Sequence, residues 1–129
     1  MKNYLIIAAF MLSLNADASI EGTFNCSGTD KEHPGVIYKG IMTIKKTGQT
    51  YSVKSSYSDN VSSIGTGIYN KAKHHFVFVF VNPKNIQETG IASMEVSKND
   101  TMTSDWAYLN QTVIGQSSCS KKNQTTGYK

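Results

Sequence analysis

The chain has 129 residues, the usual size of a single domain, and 39% of them are hydrophobic. Its 13 basic residues, all of them lysines, outnumber the 9 acidic ones and give a formal net charge of +4 at pH 7. Because lysine lacks the planar guanidinium fork that binds phosphate or guanine through two hydrogen bonds, this composition argues against a nucleic-acid partner.

The N terminus carries the pattern of a secretory signal peptide. Lys2 precedes an apolar run at 4–14, and Ala16-Asp17-Ala18 fits the small-x-small motif that a signal peptidase cuts. A membrane-spanning helix needs roughly 20 apolar residues, so this run is too short for an anchor and we expect no membrane span. We therefore predict that residues 1–18 are removed near Ala18 and that the mature protein is secreted or periplasmic.

Four short strands are predicted in the first half of the domain. Phe24 and Cys26 share one face of the first strand, and the residues that alternate with them are polar. In the fourth strand Gly65 and Gly67 alternate with isoleucines, a pattern that indicates a bend or a close approach of two backbones. We place these strands at residues 20–27, 36–45, 51–58 and 63–70.

Four more strands are predicted in the second half. The stretch 76–81 alternates phenylalanine with valine and belongs to the most apolar of the predicted strands. Asn82-Pro83-Lys84-Asn85 ends that strand. The chain after Cys119 is polar, so we expect residues 120–129 to form a flexible tail. We place these strands at residues 74–81, 90–97, 101–108 and 112–119.

The predicted strands favour an all-β domain over residues 19–119. Short connections pair neighbouring strands antiparallel, and about eight strands in an up-and-down meander can close into a barrel without exposed edges. Closure brings Cys26 on the first strand beside Cys119 on the last, and an oxidising compartment lets them pair. We therefore predict an antiparallel up-and-down barrel closed by a Cys26–Cys119 disulfide. A two-sheet β-sandwich is the alternative, because a bond between two sheets would use the same cysteines.

Aromatic side chains are predicted to line the interior of this barrel. An eight-stranded barrel either fills its interior with side chains or holds one small ligand, so these residues are either core or ligand contacts. The candidates for ligand contacts are Tyr38, Tyr51, Tyr57, Trp106 and Tyr108.

The phenylalanine–valine stretch is the second candidate site. Successive residues of a strand point to opposite faces, so one face of this stretch fills the barrel and the other lies outside. Exposed apolar surface commonly marks a partner site, although a loop, the C-terminal tail or a second copy of the chain in a homodimer would also cover it. The candidates for protein contacts are Phe76, Val77, Phe78, Val79, Phe80 and Val81.

The sequence contains no pattern of a catalytic or metal site. Its carboxylates are scattered, and no acid–base pair, phosphate-binding loop or serine elbow occurs. His74 and His75 are neighbours that point to opposite faces of a strand, and His33 is distant, so no metal-ligand spacing occurs. We predict no catalytic residue, metal or cofactor, and hence a protein that is not an enzyme.

Three stretches resemble a group of short bacterial exported β-barrel proteins, some of which are labelled fibronectin-binding. The number of strands is similar to that of the calycin barrels, lipocalin and avidin, although Phe24 stands where lipocalins have the tryptophan of a Gly-x-Trp motif. Cysteines near both ends resemble those of periplasmic C-type lysozyme inhibitors. These resemblances imply a barrel fold and a binding role, and they carry no functional residue onto this chain. The three stretches are Gly22-Thr23-Phe24-Asn25-Cys26, Gly65-Thr66-Gly67-Ile68-Tyr69 and Phe80-Val81-Asn82-Pro83-Lys84.

These features predict an exported protein that binds without catalysing a reaction. The first hypothesis is a contact with an extracellular protein partner, such as a host matrix protein or a secreted enzyme, through the outer face or the rim of the barrel. The alternatives are an apolar or sugar-like small ligand in the barrel interior, and a structural role in the cell envelope.

Overall fold

Eight antiparallel strands form a closed barrel in the computed structural model, which describes residues 20–29, 33, 35–97 and 99–122. Each strand pairs with the next along the chain, and the last strand closes the barrel by pairing with the first. The predicted up-and-down barrel is confirmed. The predicted signal peptide and residues 123–129 of the predicted tail lie outside the described residues. The strands are β1 (Gly22–Thr29), β2 (Tyr38–Thr47), β3 (Thr50–Tyr57), β4 (Ser62–Asn70), β5 (His75–Asn82), β6 (Asn85–Val96), β7 (Thr101–Tyr108) and β8 (Gly115–Lys121).

The strand positions differ from the predicted ones mainly in β6 and β8. β6 begins at Asn85 rather than at residue 90, because a two-residue turn joins it to β5 and Asn85 pairs with Asn82; a register shift then follows, and the regular ladder resumes with Thr89 opposite Val81. β8 spans Gly115–Lys121 rather than 112–119, so the first residues of the predicted tail continue the ladder with β1. The residues gained at 120–121 are polar and give no alternation signal, whereas the apolar residues Val113 and Ile114, which favoured an earlier start, lie before β8.

A disulfide bond joins the first strand to the last. Cys26 and Cys119 stand directly opposite each other in the β1–β8 ladder, with 4.1 Å between their Cα atoms and an S–S distance of 2.05 Å. The predicted Cys26–Cys119 bond is therefore confirmed, and it crosses the seam where the two ends of the chain meet. Disulfides of this kind persist in oxidising compartments, which fits the predicted export.

Large apolar side chains fill one end of the barrel. This end, called the closed end below, is the one at which the β2–β3, β4–β5 and β6–β7 connections lie. The side chains that pack there come from six strands, and each is no more than 2% exposed, which makes this layer the main stabilising core of the domain. They are Phe24, Ile44, Val53, Phe76, Met94 and Met102.

Glycines provide the room for aromatic rings nearer the other end of the barrel, called the open end below. A Cβ atom on Gly40 would lie 2.5 Å from the ring of Tyr57, its cross-strand partner. A Cβ atom on Gly90 would lie 2.6 Å from the ring of Phe80, again its direct partner. Pairing a glycine with a ring lets a narrow, strongly curved barrel hold large side chains without overlap.

The same pairing fixes which face of β4 points inward. Gly65 and Gly67 face the interior beside the phenylalanines of β5, and the two isoleucines of β4 lie outside. Ile64 is 47% exposed and Ile68 is 68% exposed. The close approach that the glycines indicate is thus an approach to the β5 backbone and its inward rings.

Candidate functional site

The open end of the barrel contains a cavity of about 130 Å³. All eight strands contribute to its lining, which places it on the barrel axis above the packed closed end. Its floor is apolar and includes Met42, Ala92 and Met94, which are buried. Asp59, in the β3–β4 connection, is exposed and marks the mouth toward solvent. The cavity is therefore a pocket with a packed floor and one opening.

A continuous series of aromatic rings leads from the closed end to this pocket. Phe78 lies 5.4 Å from Phe76 below it and 6.1 Å from Phe80 above it, measured between ring centroids. Tyr108 then lies 6.0 Å from Phe80 and 5.3 Å from Trp106, both in edge-on arrangements. Each separation is within the range at which aromatic pairs stabilise one another. The rings are consequently held in place by their neighbours, which gives the pocket a rigid wall.

Four of the five aromatic residues predicted as ligand contacts line the pocket: Tyr38, Tyr57, Trp106 and Tyr108. Tyr51 does not, because it lies at the closed end, 5.8 Å from the Phe76 ring. Tyr51 and Tyr57 share the inner face of β3, but six residues of strand place them about 20 Å apart along the barrel. Alternation in the sequence therefore predicts whether a side chain lies on the inner or the outer face of the barrel, but not its position along the barrel axis.

Tyr57 contributes a hydroxyl group to the pocket that stays protonated at neutral pH. Burial raises the pKa of Tyr57 above its usual 10.0, a hydrogen bond with Ser55 lowers it in part, and the charge of Asp59 raises it further. The group is therefore a neutral hydroxyl that is able to hydrogen-bond within the pocket. Deeper in the pocket, Ser104 Oγ and Ser117 Oγ hydrogen-bond each other at 2.6 Å.

A carboxylate at the mouth is held in a defined orientation by two amides. Asn82 donates from Nδ2 to Glu88 Oε1 at 3.0 Å, and Asn85 donates from Nδ2 to Glu88 Oε2 at 3.3 Å. The amide orientations follow from the turn, because Asn82 Oδ1 accepts from the Lys84 N–H at 2.9 Å and Asn85 Oδ1 accepts from the Gln87 N–H at 3.3 Å. The β5–β6 turn thus positions the Glu88 carboxylate beside the pocket.

Glu88, Asn82 and Asp59 also line the pocket, and none of them was predicted as a site residue. One signal was available: Glu88 is in phase with Gly90 and Ala92, which face the interior of β6. The scattered positions of the carboxylates along the chain hid the fact that Asp59 and Glu88 meet at one opening. The up-and-down order of the strands brings the β3–β4 connection and the start of β6 to the same rim.

The predicted protein-contact stretch 76–81 is divided between the two faces of β5. Its three phenylalanines point into the barrel and its three valines point outward. Val79 is 54% exposed, and its partner on β6, Ile91, is 52% exposed, so an apolar strip lies on the outside. A partner on this outer face would meet the valines and not Phe76 or Phe78, and the contact itself stays a prediction.

His75 and His33 lie in separate environments. His75 lies on the outside, where its Nε2 is 2.8 Å from Ser93 Oγ. His33 lies near the open end, where its Nδ1 is 3.4 Å from the Tyr38 hydroxyl oxygen. Within the described ranges, no group of three or more His, Cys, Asp or Glu side chains is placed to hold a metal ion. That part of the chain also has no helix long and apolar enough to cross a membrane.

Comparison with known proteins gives matches in structure but none in sequence. No protein-family model matches the chain, and no curated protein matches it. A redesigned beta barrel, mFAP1, bound to DFHBI, superposes with a TM-score of 0.65 at 10% identity, over 79% of this chain and 94% of that one. A de novo designed fluorescence-activating beta barrel gives a TM-score of 0.55 at 13% identity, over 79% of this chain and 93% of that one. At these identities the likeness shows the barrel fold alone.

Proposed function

We propose that the protein binds one small molecule in the pocket at the open end of the barrel. The observation that carries this proposal is a cavity of about 130 Å³ that has a packed floor, a rigid aromatic wall and a single mouth. An apolar cavity of roughly 150 Å³ holds a benzene molecule, so this one suits an apolar group the size of one aromatic ring. The proposal develops the predicted alternative of a ligand in the barrel interior.

The lining favours a ligand with an apolar body and a polar end. The floor offers the methionines Met42 and Met94, whereas the polar groups Asn82, Glu88 and Asp59 cluster at the mouth. An apolar ring gains free energy by leaving water for the floor, and a polar substituent keeps its hydrogen bonds at the rim. A barrel of similar fold, mFAP1, was determined with DFHBI bound, which supports the idea that such a barrel accommodates a small molecule.

The single tryptophan makes the proposal directly testable. Trp106 lines the pocket and is the only tryptophan of the chain, so its emission reports occupancy without interference. Titration with 2-phenylethanol should change that emission in a saturable way, with a dissociation constant of roughly 1 mM or lower for a ligand of this size. Native mass spectrometry of the same sample should show one bound molecule per chain.

A pair of neighbouring substitutions supplies the control. Ser63 faces the pocket at the start of β4, so Ser63→Phe should fill the cavity and abolish the emission change. Ser62 lies on the outer face and is exposed, so Ser62→Phe adds the same ring without touching the pocket. The proposal is refuted if the unmodified protein shows no saturable binding, or if Ser63→Phe binds as well as Ser62→Phe.

The predicted export implies the compartment in which the ligand is bound. The Cys26–Cys119 disulfide fits a compartment outside the cytoplasm, where a ligand is taken from the periplasm or the medium. In this proposal the protein sequesters or carries its ligand and does not transform it. The contact with an extracellular protein partner stays a separate prediction, since the outer valines of β5 are accessible.

A further inference from the structure

Among the residues that the structure describes, the charged groups that line the pocket all have the same sign. They are Asp59 and Glu88, and no described lysine joins them although the chain carries a net charge of +4. Lys46 lies instead at the closed end, with its Nζ 5.0 Å from the Tyr51 ring centroid. The mouth of an otherwise basic protein therefore has a negative local potential, which attracts cations and repels anions.

The Glu88 carboxylate keeps capacity for a ligand. Its two oxygens each accept one amide hydrogen bond, from Asn82 and Asn85, at 3.0 and 3.3 Å. A carboxylate offers about four acceptor positions, so roughly half remain for a donor on the ligand. The two amides already hold the Glu88 carboxylate in place, so its orientation is fixed before a ligand binds. A charge-assisted hydrogen bond between this carboxylate and the ligand therefore forms at little entropic cost.

Aromatic residues follow Glu88 along the inner face of the barrel. Gly90 pairs with Tyr108 across β6 and β7, and Glu88 is the next inward residue of β6 toward the mouth. Tyr108 in turn packs edge-on against Trp106 and Phe80, which leaves ring surface facing the pocket. A cation near such rings gains cation–π attraction in addition to its ion pair, most strongly with tryptophan.

We infer that the natural ligand is a small organic cation, a protonated amine carried on an apolar body about the size of one aromatic ring. The inference rests on the proposed function, because it names the ligand class of the same pocket. The ring occupies the apolar part of the pocket, and the ammonium group reaches Glu88 at the mouth.

Two basic residues that the structure describes near the mouth, Lys84 and His33, do not line the pocket. Lys84 lies in the β5–β6 turn, is exposed and does not line the pocket; its backbone N–H binds Asn82. His33 lies near the rim, where its Nδ1 is 3.4 Å from the Tyr38 hydroxyl oxygen. Asp59 adds a second negative charge from the neighbouring β3–β4 connection, where its Oδ1 accepts from the Val61 N–H at 3.2 Å.

Three probes that share one ring and differ in charge test the inference. They are 2-phenylethylamine, which is cationic at pH 7, 2-phenylethanol, which is neutral, and phenylacetate, which is anionic. With Trp106 emission and calorimetry as readouts, the amine should bind about tenfold more tightly than the alcohol, the effect of one charge-assisted hydrogen bond at a partly exposed site. Phenylacetate should bind more weakly than either.

Two charge-removing variants of β6 assign the effect to one carboxylate. Glu88→Gln should bring the amine-to-alcohol affinity ratio close to one. Glu95→Gln makes the same change in net charge on the exposed outer face of β6 and should leave the ratio as it is. Equal ratios in these two variants would overturn the assignment to Glu88.

The outcomes separate this inference from the proposed function. If the alcohol binds and the amine binds no better, the pocket is a ligand site for neutral molecules and the inference of a cation is wrong. If phenylacetate binds best, the inference is wrong in sign. If none of the three probes binds, the proposed function itself fails, together with the inference.

Discussion

The role of the inward glycines can be tested by adding a single methyl group at Gly67. A Cβ atom there would lie 2.5 Å from Phe76 Cε1 and 2.8 Å from Phe78 Cβ. Phe76 is 0% exposed, so its ring has no solvent to move into, and it must shift by about 1 Å to restore ordinary contact distances. Overpacking of this kind costs about 1–3 kcal/mol. Alanine also lowers the conformational entropy of the unfolded chain, which stabilises the folded state by about 0.4–1 kcal/mol. The net effect of Gly67→Ala should therefore be a loss of about 1–2 kcal/mol in the free energy of unfolding.

A second substitution distinguishes overlap from other causes. Leucine at position 76 lacks the ring atoms that a Cβ on Gly67 would meet, so Phe76→Leu should relieve the overlap while leaving a small cavity of its own. Free energies of unfolding from urea titrations of the two single variants and the double variant form a thermodynamic cycle. We expect the double variant to be more stable than the sum of the single effects by about 0.5 kcal/mol or more.

Gly48→Ala is the control for this cycle. Gly48 lies in the β2–β3 turn with a φ of 70°, and a Cβ atom there would meet nothing within 4 Å. The substitution is therefore destabilising through backbone strain alone, and Phe76→Leu should not change its effect. If Gly67→Ala is as stable as the unmodified protein, or is additive with Phe76→Leu in the same way as Gly48→Ala, the glycines do not make room for the rings.

Three further predictions concern the seam, the pocket tyrosine and the buried serine pair. Cys26 and Cys119 are separated by 93 positions, so replacing both by serine should lower the urea midpoint, with an entropic loss of about 4–5 kcal/mol, and added reductant should then have no further effect. Because burial raises the pKa of Tyr57 above 10.0, its stabilising contribution is intact below that pH and is lost as the pH rises through the folded-state pKa. Tyr57→Phe should therefore reduce the loss of stability seen in urea titrations above pH 10, and an unchanged alkaline slope would contradict this. Ser104→Ala should cost about 1 kcal/mol by removing the hydrogen bond to Ser117, and Ser104→Ala with Ser117→Ala should recover part of that loss in thermal melts.

The barrel was predictable because two kinds of signal agree. Alternation along β1 put Phe24 and Cys26 on one face, and the cysteines fell on the first and last strands, which an up-and-down barrel must bring together. The face of β4 was harder. Hydrophobicity alone would turn Ile64 and Ile68 inward, but the adjacent β5 strand already fills that volume with rings. The side-chain volume of the neighbouring strand β5 decides which face of β4 points inward, and the sequence of β4 alone does not contain that information.

The candidate site was predictable in composition and not in position. Tyr57 and Trp106 were correctly expected on the inner faces, yet Tyr51 shares their pattern and lies at the far end of the barrel. Glu88 is in phase with the inward Gly90 and Ala92, but the stretch around it is polar and shows no apolar alternation, so its place at the mouth had no signal. A site that depends on distance along the barrel axis appears only once the register between strands is known.

The position of the pocket follows from how side-chain volume is distributed along the barrel. At the closed end the inward positions carry large apolar residues, and nearer the open end many of them carry glycine or serine, of which the glycines pair with rings on a neighbouring strand. The rings fill only part of the space that these small residues leave, and the remainder is the pocket. Packing at one end therefore stabilises the fold while the other end stays available for a ligand, so the two requirements fall on different residues. The small inward residues nearer the open end are Gly28, Gly40, Ser63, Gly65, Gly90, Gly115 and Ser117.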